Sequence, residues 1–263
     1  MYSTKTKPVI NFIGITAVCC DDNKDEYIFL ADDNKIYSIH YNTCDQQGTI
    51  IDTDRKFIPC KIQLQPFTQN LVMCDTKKHV IQVMDKESHI PLFCIGNNSE
   101  LYYPFSVCCT KKGDIIVADT NNNQIQVFNE YGRYLYKFGC YGQLLNKFNN
   151  PCDVHCNDDT NQLLVADYYN NRISIWNYDL CSKQTPIAEI ALPKCVNVCS
   201  NPMNQHEIIA SSYSTISIYD NRKYQLIQEI KQNNYIYDLC INKVNNVLVV
   251  VNYTGIHYLN KIP

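Results

Sequence analysis

The chain has 263 residues and a formal net charge of -3 at pH 7. Its pI near 6.0 excludes a globally basic nucleic-acid-binding protein, although a local basic patch remains open. Hydrophobic residues make up 45% and charged residues 19% of the sequence, as in ordinary globular proteins. No apolar run is long enough to span a bilayer.

A unit of strand, tight turn and strand recurs along the chain. The two clearest copies are residues 114–128 and 162–176, each with an apolar run ending in Asp, an Asn-rich turn and an alternating run. Four weaker copies bring the number of units to six. The residues that end the first strand of each unit are Asp32, Asp75, Asp119, Asp167, Ser211 and Asn252. Their spacing of 41 to 48 residues is typical of four-stranded propeller blades.

These units predict an all-β fold, a six-bladed β-propeller of four-stranded antiparallel blades. We expect a single domain over residues 1–263, with blades at about 15–52, 60–96, 104–139, 151–190, 194–230 and 235–263. In the third blade the predicted strands are 105–110, 114–118, 124–128 and 134–138. We expect the N-terminal strand, in residues 8–13, to complete the last blade, with Val9–Ile13 pairing with 255–259. An unpaired outer edge there would favour aggregation.

Cysteine recurs at one slot of the repeat, near the end of the first strand, in five of the six predicted blades. The five residues in this slot are Cys20, Cys109, Cys156, Cys199 and Cys240. Free cysteine behaves as a small buried hydrophobe, which favours core packing. The alternative, a zinc site at Cys152 and Cys156, is disfavoured because residues four apart on a strand lie roughly 13 Å apart. Many unpaired thiols indicate a reducing compartment, and we expect a cytoplasmic protein.

The segment from Phe138 to Pro151 has the pattern Phe-Gly-x-x-Gly-x5-Phe-x-x-Pro, between two Val-Ala-Asp segments. This pattern resembles the NHL repeat, which builds six-bladed propellers. The resemblance implies a binding scaffold like the NHL domain of tripartite-motif proteins, which selects RNA hairpins or protein substrates. In those proteins a RING finger supplies the ubiquitin-ligase activity, and these residues contain no RING-type cysteine spacing.

The aspartates that end the second strands invite two interpretations. They could form a ring of carboxylate ligands, or they could accept N–H groups of the following turn, as in an Asx-turn. The second interpretation is favoured because Asp is common at such turns.

One face of the predicted propeller collects the turns between second and third strands and the connections between blades. Its candidate aromatic residues are Tyr102, Tyr103, Tyr141, Phe148, Tyr168, Tyr169, Tyr213 and Tyr253. Its candidate polar and basic residues are Lys77, Lys78, His79, Lys147, Arg172 and Lys194. Such a mixture can anchor a protein partner or stack exposed RNA bases.

The overall acidity favours a protein partner, with an RNA stem-loop on the same face as the alternative. We expect no membrane association, no cofactor, no metal and no oligomerisation from this domain alone. A metal-dependent hydrolase or lyase is disfavoured because the six histidines occupy different slots of the repeat and cannot converge on the axis. The chain is therefore predicted not to be an enzyme.

Overall fold

Short antiparallel strands dominate the chain in the computed structural model, which describes residues 2–3, 16–20, 27–31, 35–40, 46–52, 59–96, 100–178, 185–201, 204, 206–242, 247–252 and 255–261. The strands of these residues, in chain order, are β1 Tyr2–Ser3, β2 Ala17–Cys20, β3 Tyr27–Ala31, β4 Lys35–His40, β5 Gln46–Asp52, β6 Pro59–Leu64, β7 Leu71–Asp75, β8 Val80–Met84, β9 Pro91–Ile95, β10 Pro104–Cys109, β11 Ile115–Asp119, β12 Gln124–Phe128, β13 Tyr134–Phe138, β14 Pro151–Asn157, β15 Gln162–Asp167, β16 Arg172–Asn177, β17 Ala188–Ala191, β18 Cys195–Ser200, β19 Glu207–Ser212, β20 Thr215–Asp220, β21 Leu226–Lys231, β22 Ile236–Asn242, β23 Val247–Asn252 and β24 Gly255–Lys261.

Five full blades are built from four consecutive strands each. They are blade 1 (β2–β5), blade 2 (β6–β9), blade 3 (β10–β13), blade 4 (β14–β17) and blade 5 (β18–β21). Within a blade the burial of a strand depends on its distance from the centre. Every residue of β11 is buried because both of its faces pack against other blades, whereas most of the outermost strand, β13, is exposed.

A sixth sheet, here called the closing sheet, is built differently. Three long C-terminal strands, β22, β23 and β24, are joined at their outer edge by β1, which has only two residues. Tyr2 pairs with Lys261, and Ser3 pairs with Asn260.

The predicted fold class is therefore wrong in its blade count, because the structure has five full blades and this closing sheet rather than six equivalent blades. At the outer edge of β24 the structure places Tyr2 beside Lys261 and Ser3 beside Asn260, and the predicted pairing of Val9–Ile13 with 255–259 is not tested. The predicted strand, within residues 8–13, lies outside the described residues. A two-residue strand carries no alternation of apolar and polar side chains, so sequence reasoning had no signal for it.

The innermost strands form a ring around a central axis. Strands β2, β6, β10, β14, β18 and β22 each contact the next, and β22 contacts β2 again. Apolar side chains fill the spaces between sheets. Between blades 3 and 4, for example, the rings of Phe138 and Phe148 pack on Trp176 with centroids 4.8 and 5.6 Å from the indole.

A buried ion pair lies where the inner strands converge. Lys61 Nζ is 2.7 Å from Asp238 Oδ1 and 3.3 Å from Asp153 Oδ1, and all three side chains are buried. Burial lowers the pKa of Lys61, but the two carboxylates outweigh that effect and raise its pKa well above the usual value. The three residues come from blade 2, blade 4 and the closing sheet.

The other three inner strands join this ion pair by hydrogen bonds. The Ser106 hydroxyl donates to Asp153 Oδ1 at 2.5 Å, and the backbone N–H of Val198 donates to Asp153 Oδ2 at 2.8 Å. The backbone N–H of Val18 donates to Asp238 Oδ2 at 3.0 Å. We call the ion pair and these three donors the axial network. It includes one group from the inner strand of every sheet.

We predict that Lys61→Met lowers the free energy of unfolding by about 3–5 kcal/mol, because it leaves two buried carboxylates without their cation. Urea denaturation measures this loss. The matched control is Lys111→Met, since Lys111 pairs with Asp159 at 2.6 Å on the surface and should lose less than about 1 kcal/mol. Equal, small losses in both variants would contradict a buried ion pair between Lys61 and the two carboxylates.

Candidate partner-binding face

The turns between second and third strands and the connections between blades lie at the same end of the inner strands. We call this side the loop face. Its described turns are 76–79, 120–123, 168–171 and 213–214, and its described connections are 100–103, 139–150, 192–194 and 232–235. Backbone hydrogen bonds join turns to connections, as from Tyr169 N–H to the Asn149 carbonyl at 3.0 Å and from Gln232 N–H to the Ser214 carbonyl at 2.6 Å.

A repeated side-chain hydrogen bond connects neighbouring blades on the loop face. The last residue of a turn accepts a backbone N–H from the residue that precedes the next inner strand. The three pairs, acceptor first, are His79–Tyr103 at 3.0 Å, Asn123–Asn150 at 2.8 Å and Asn171–Lys194 at 3.1 Å. All six residues have φ between 53° and 63°. Asn tolerates this left-handed conformation, whereas for Tyr103 and Lys194 it is strained, so the surrounding contacts must impose it.

The aspartates at the strand ends are structural anchors. Asp75 Oδ1 accepts the N–H groups of Lys77 and Lys78 at 3.0 and 2.9 Å, as the Asx-turn interpretation predicts. Asp119 and Asp167 behave differently, because each accepts the side-chain amide of an Asn in the following turn and a backbone N–H from the preceding connection. The backbone donors are Tyr102 at 2.7 Å and Asn149 at 2.8 Å.

The residue predicted to end the second strand of blade 5, Ser211, is one position too early. Ser212, and not Ser211, faces Cys195 in the position that Asp167 has opposite Pro151. The Ser212 hydroxyl donates to the Pro193 carbonyl at 2.7 Å, so it also ties a connection to its blade. Asp32 lies outside the described residues.

Arg172, a predicted ligand-binding residue, is buried and fully engaged within the protein. Its Nε donates to Asp167 Oδ2 at 2.9 Å, and its Nη1 donates to Glu189 at 3.0 Å. Its Nη2 donates to the carbonyls of Leu144 and Lys147 at 2.9 and 2.7 Å. The guanidinium therefore fixes the 139–150 connection and is not available to a ligand.

Phe148 is also a core residue, with no exposed surface. The remaining predicted residues lie at or near the surface of the loop face. Tyr102, Tyr103, Tyr141, Tyr169, Tyr213, Lys77 and Lys78 are exposed, and His79, Lys147, Tyr168 and Lys194 are half-buried. Tyr253 lies outside the described residues.

Five tyrosines from blades 4 and 5 and the start of the closing sheet form one contiguous surface, here called the tyrosine cluster. Its members are Tyr168, Tyr169, Tyr213, Tyr235 and Tyr237. Ring centroids are 4.9 Å apart for Tyr168 and Tyr169, 6.0 Å for Tyr213 and Tyr235, and 5.5 Å for Tyr235 and Tyr237. Burial and a hydrogen bond with Tyr213 raise the pKa of Tyr168 to about 12, so its hydroxyl stays protonated at neutral pH.

A lysine covers one end of the tyrosine cluster. Lys194 Nζ lies 4.6 Å from the ring centroid of Tyr168 and 4.5 Å from that of Tyr169, within cation–π distance. Sequence reasoning missed Tyr235 and Tyr237. The sequence could have indicated Tyr235, because it lies in the connection between blade 5 and the closing sheet, and such connections are predicted to lie on this face.

A second aromatic and basic region lies on blades 2 and 3. The His79 and Tyr102 rings are 5.1 Å apart, and Tyr103 stacks on Phe105 at 6.2 Å. His79, Tyr102 and Lys78 line a cavity of about 630 Å³. Within the described part of the chain, no group of three or more His, Cys, Asp or Glu side chains is placed to hold a metal ion. The same residues include no helix with the length and apolar character needed to cross a membrane.

Comparison with known proteins agrees with this geometry. Residues 101–128 match the NHL repeat. A 75-residue segment is 37% identical to the protein brain tumor of Drosophila melanogaster, and it covers 27% of this chain but only 7% of that protein. The crystal structure of a nidogen/laminin complex contains a chain with the same fold, with a TM-score of 0.70 at 15% identity over 85% of this chain and 83% of that one. The NHL-type propeller predicted from the repeat is thus supported, apart from its blade count.

We predict that Arg172→Ala lowers the free energy of unfolding by about 3 kcal/mol or more, since it leaves the buried Asp167 without its cation. Arg172→Gln should retain much of the stability, because Gln124 occupies the same position in blade 3 and donates to Asp119 at 2.7 Å. Both variants should show faster hydrogen exchange in residues 139–150. Wild-type stability and exchange in Arg172→Ala would contradict the structural role.

Proposed function

We propose that this chain is a non-catalytic recognition scaffold that binds a protein partner through the tyrosine cluster on the loop face. The observation that supports this most is the contact between five partly or well exposed tyrosines on a surface whose turns and connections are fixed to one another. Tyrosine buries a large area with few rotatable bonds, and it is enriched among residues that dominate binding energy. A surface already ordered in the free protein loses little entropy on binding.

The distribution of charge favours protein over RNA. Phosphate recognition needs several available cations along one track. Near the tyrosine cluster, Arg172 is committed to Asp167 and Glu189, and Lys194 lies over two of the rings. The exposed lysines Lys77 and Lys78 belong to blade 2, away from the cluster in blades 4 and 5.

RNA binding remains a second candidate for the blade 2 and 3 region. There, exposed Lys77 and Lys78 lie in the same turn as His79, whose ring contacts Tyr102. Such a combination of cations and an exposed aromatic ring suits a single-stranded loop. RNA bound there would use a region distinct from the tyrosine cluster.

The similarity to the protein brain tumor supports an NHL-type role, and the nidogen/laminin structure shows a chain of this fold in a complex. By the resemblance to tripartite-motif proteins, we propose that the chain selects a substrate in a reducing, cytoplasmic setting. Ubiquitin-ligase activity would require a RING finger outside these 263 residues.

We predict that Tyr169→Ala combined with Tyr213→Ala weakens partner binding by about 30-fold or more, the loss expected from removing a binding hot spot. The partner is first captured on the immobilised chain and identified by mass spectrometry. Binding of the purified partner is then measured for wild type and variant by calorimetry. Melting temperatures should agree closely, because both side chains are about half exposed.

The matched control is Tyr131→Ala, a tyrosine 75% exposed on the opposite face, which should bind as wild type does. Equal affinity in the double variant would rule out the tyrosine cluster as the binding surface. Titration of stem-loop RNA in rising salt tests the alternative, since phosphate-driven binding must weaken steeply with salt. Tight, salt-sensitive RNA binding that is abolished by Lys77→Ala and Lys78→Ala would instead identify the chain as an RNA-binding protein that uses blades 2 and 3.

A further inference from the structure

A cavity of about 370 Å³ lies on the axis beyond Lys61, toward the face opposite the loop face. Cysteine thiols line much of it, and exposed residues such as Lys111 and Asp159 line its other end, where solvent enters. The thiols that line the cavity are those of Cys19, Cys20, Cys108, Cys109, Cys156, Cys199 and Cys240. These cysteines occupy two adjacent slots of the inner strands, and not the single slot predicted from the sequence.

Two pairs of these thiols are in direct contact across neighbouring sheets. Cys20 Sγ is 2.8 Å from Cys240 Sγ, and Cys108 Sγ is 2.9 Å from Cys156 Sγ. Both pairs follow one geometric rule. The rule is counted from the residues that take equivalent places opposite the second strands, which are Ala17, Ser106, Asp153, Asn197 and Asp238. The residue two positions later on one inner strand meets the residue three positions later on the next inner strand.

The same rule places His155 against Ser200, with Nε2 2.9 Å from Oγ. The contact between the paired thiols is therefore a property of how neighbouring inner strands pack. It does not depend on an accidental arrangement of two side chains.

We propose that Cys20 and Cys240 form a disulfide modification site that ties blade 1 covalently to the closing sheet. Cys20 and Cys240 are 220 residues apart in the chain, so this bond would join the two ends of the ring. Its position matters because blade 1 and the closing sheet meet mainly through β2 and β22, the two strands that carry these cysteines.

The oxidant is a small peroxide such as hydrogen peroxide, which can enter the cavity. The Cys240 sulfur, the more exposed of the pair, attacks one peroxide oxygen, the O–O bond breaks, and Cys240 becomes a sulfenic acid as water leaves. The Cys20 sulfur then attacks Cys240 Sγ, the S–O bond breaks, and the hydroxyl leaves as a second water with the thiol proton. Two thiols and one peroxide give one disulfide and two waters.

The required movement is small. A disulfide has an S–S distance of about 2.0 Å, so the two sulfur atoms must approach by roughly 0.8 Å. Burial raises the pKa of Cys240 well above its usual value, which keeps the thiol protonated. Oxidation of this pair should thus be slower than oxidation of the exposed Cys140, and the experiment should use a Cys140→Ser background.

The folded Cys140→Ser protein is treated with hydrogen peroxide, the remaining thiols are alkylated, and the digest is mapped by mass spectrometry. We expect a peptide linked through Cys20 and Cys240 that disappears on treatment with dithiothreitol. The melting temperature of the oxidised protein should rise by about 5 °C or more, since the bond restricts the unfolded chain. Two alkylated or over-oxidised residues at these positions, or a link of Cys20 or Cys240 to a different cysteine, would overturn the proposal.

Two further variants separate this bond from the second thiol pair. Cys240→Ser should lose the rise in melting temperature, whereas Cys108→Ser should retain both the rise and the Cys20–Cys240 peptide. A full rise in oxidised Cys240→Ser would contradict the proposal. If Cys240→Ser does not fold, the peptide map of the Cys140→Ser protein decides the question alone.

Discussion

The arrangement of the six sheets depends on one buried interaction, the ion pair of Lys61 with Asp153 and Asp238. A charged group in an apolar interior is costly unless partners satisfy it. Here the ammonium and the two carboxylates come from three inner strands, and the other three inner strands donate hydrogen bonds to the carboxylates. The ion pair need not add stability over apolar packing. Its consequence is specificity, because only the observed order of inner strands brings the cation and both carboxylates together.

The loop face is a consequence of the same geometry. The inner strands of blades 2 to 5 and the closing sheet each have a register shift that ends at the axial-network residue or one residue before it. This bend sets the direction in which the preceding connection approaches. The hydrogen bonds that the connections donate to His79, Asn123 and Asn171 then fix each connection to the neighbouring turn. The tyrosine cluster is displayed on a surface whose backbone is held from both sides, which favours recognition over flexible closure around a small substrate.

The repeats could be predicted from the sequence because blade strands are short, apolar and separated by turn residues. In the third blade, the bounds of all four strands agree with the prediction to within one residue. It failed where a polar residue is buried against a partner that the local pattern does not indicate. Arg172 follows a turn and has the pattern of a surface cation, yet Asp167 five positions earlier is its buried partner. The axial residues Lys61, Asp153 and Asp238 are single polar residues in separate apolar strands. Their complementarity appears only when the inner strands are aligned at the register shift.

A double-mutant cycle between Lys61 and Asp238 tests the central claim most directly. The free energies of unfolding of wild type, Lys61→Met, Asp238→Asn and the combined variant are measured by chemical denaturation under identical conditions. Direct contact at the axis predicts a coupling energy of about 2 kcal/mol or more, with the combined variant much more stable than the sum of the two losses implies. Additive losses, with a coupling energy near zero, would contradict the account in which this ion pair determines how the six sheets meet.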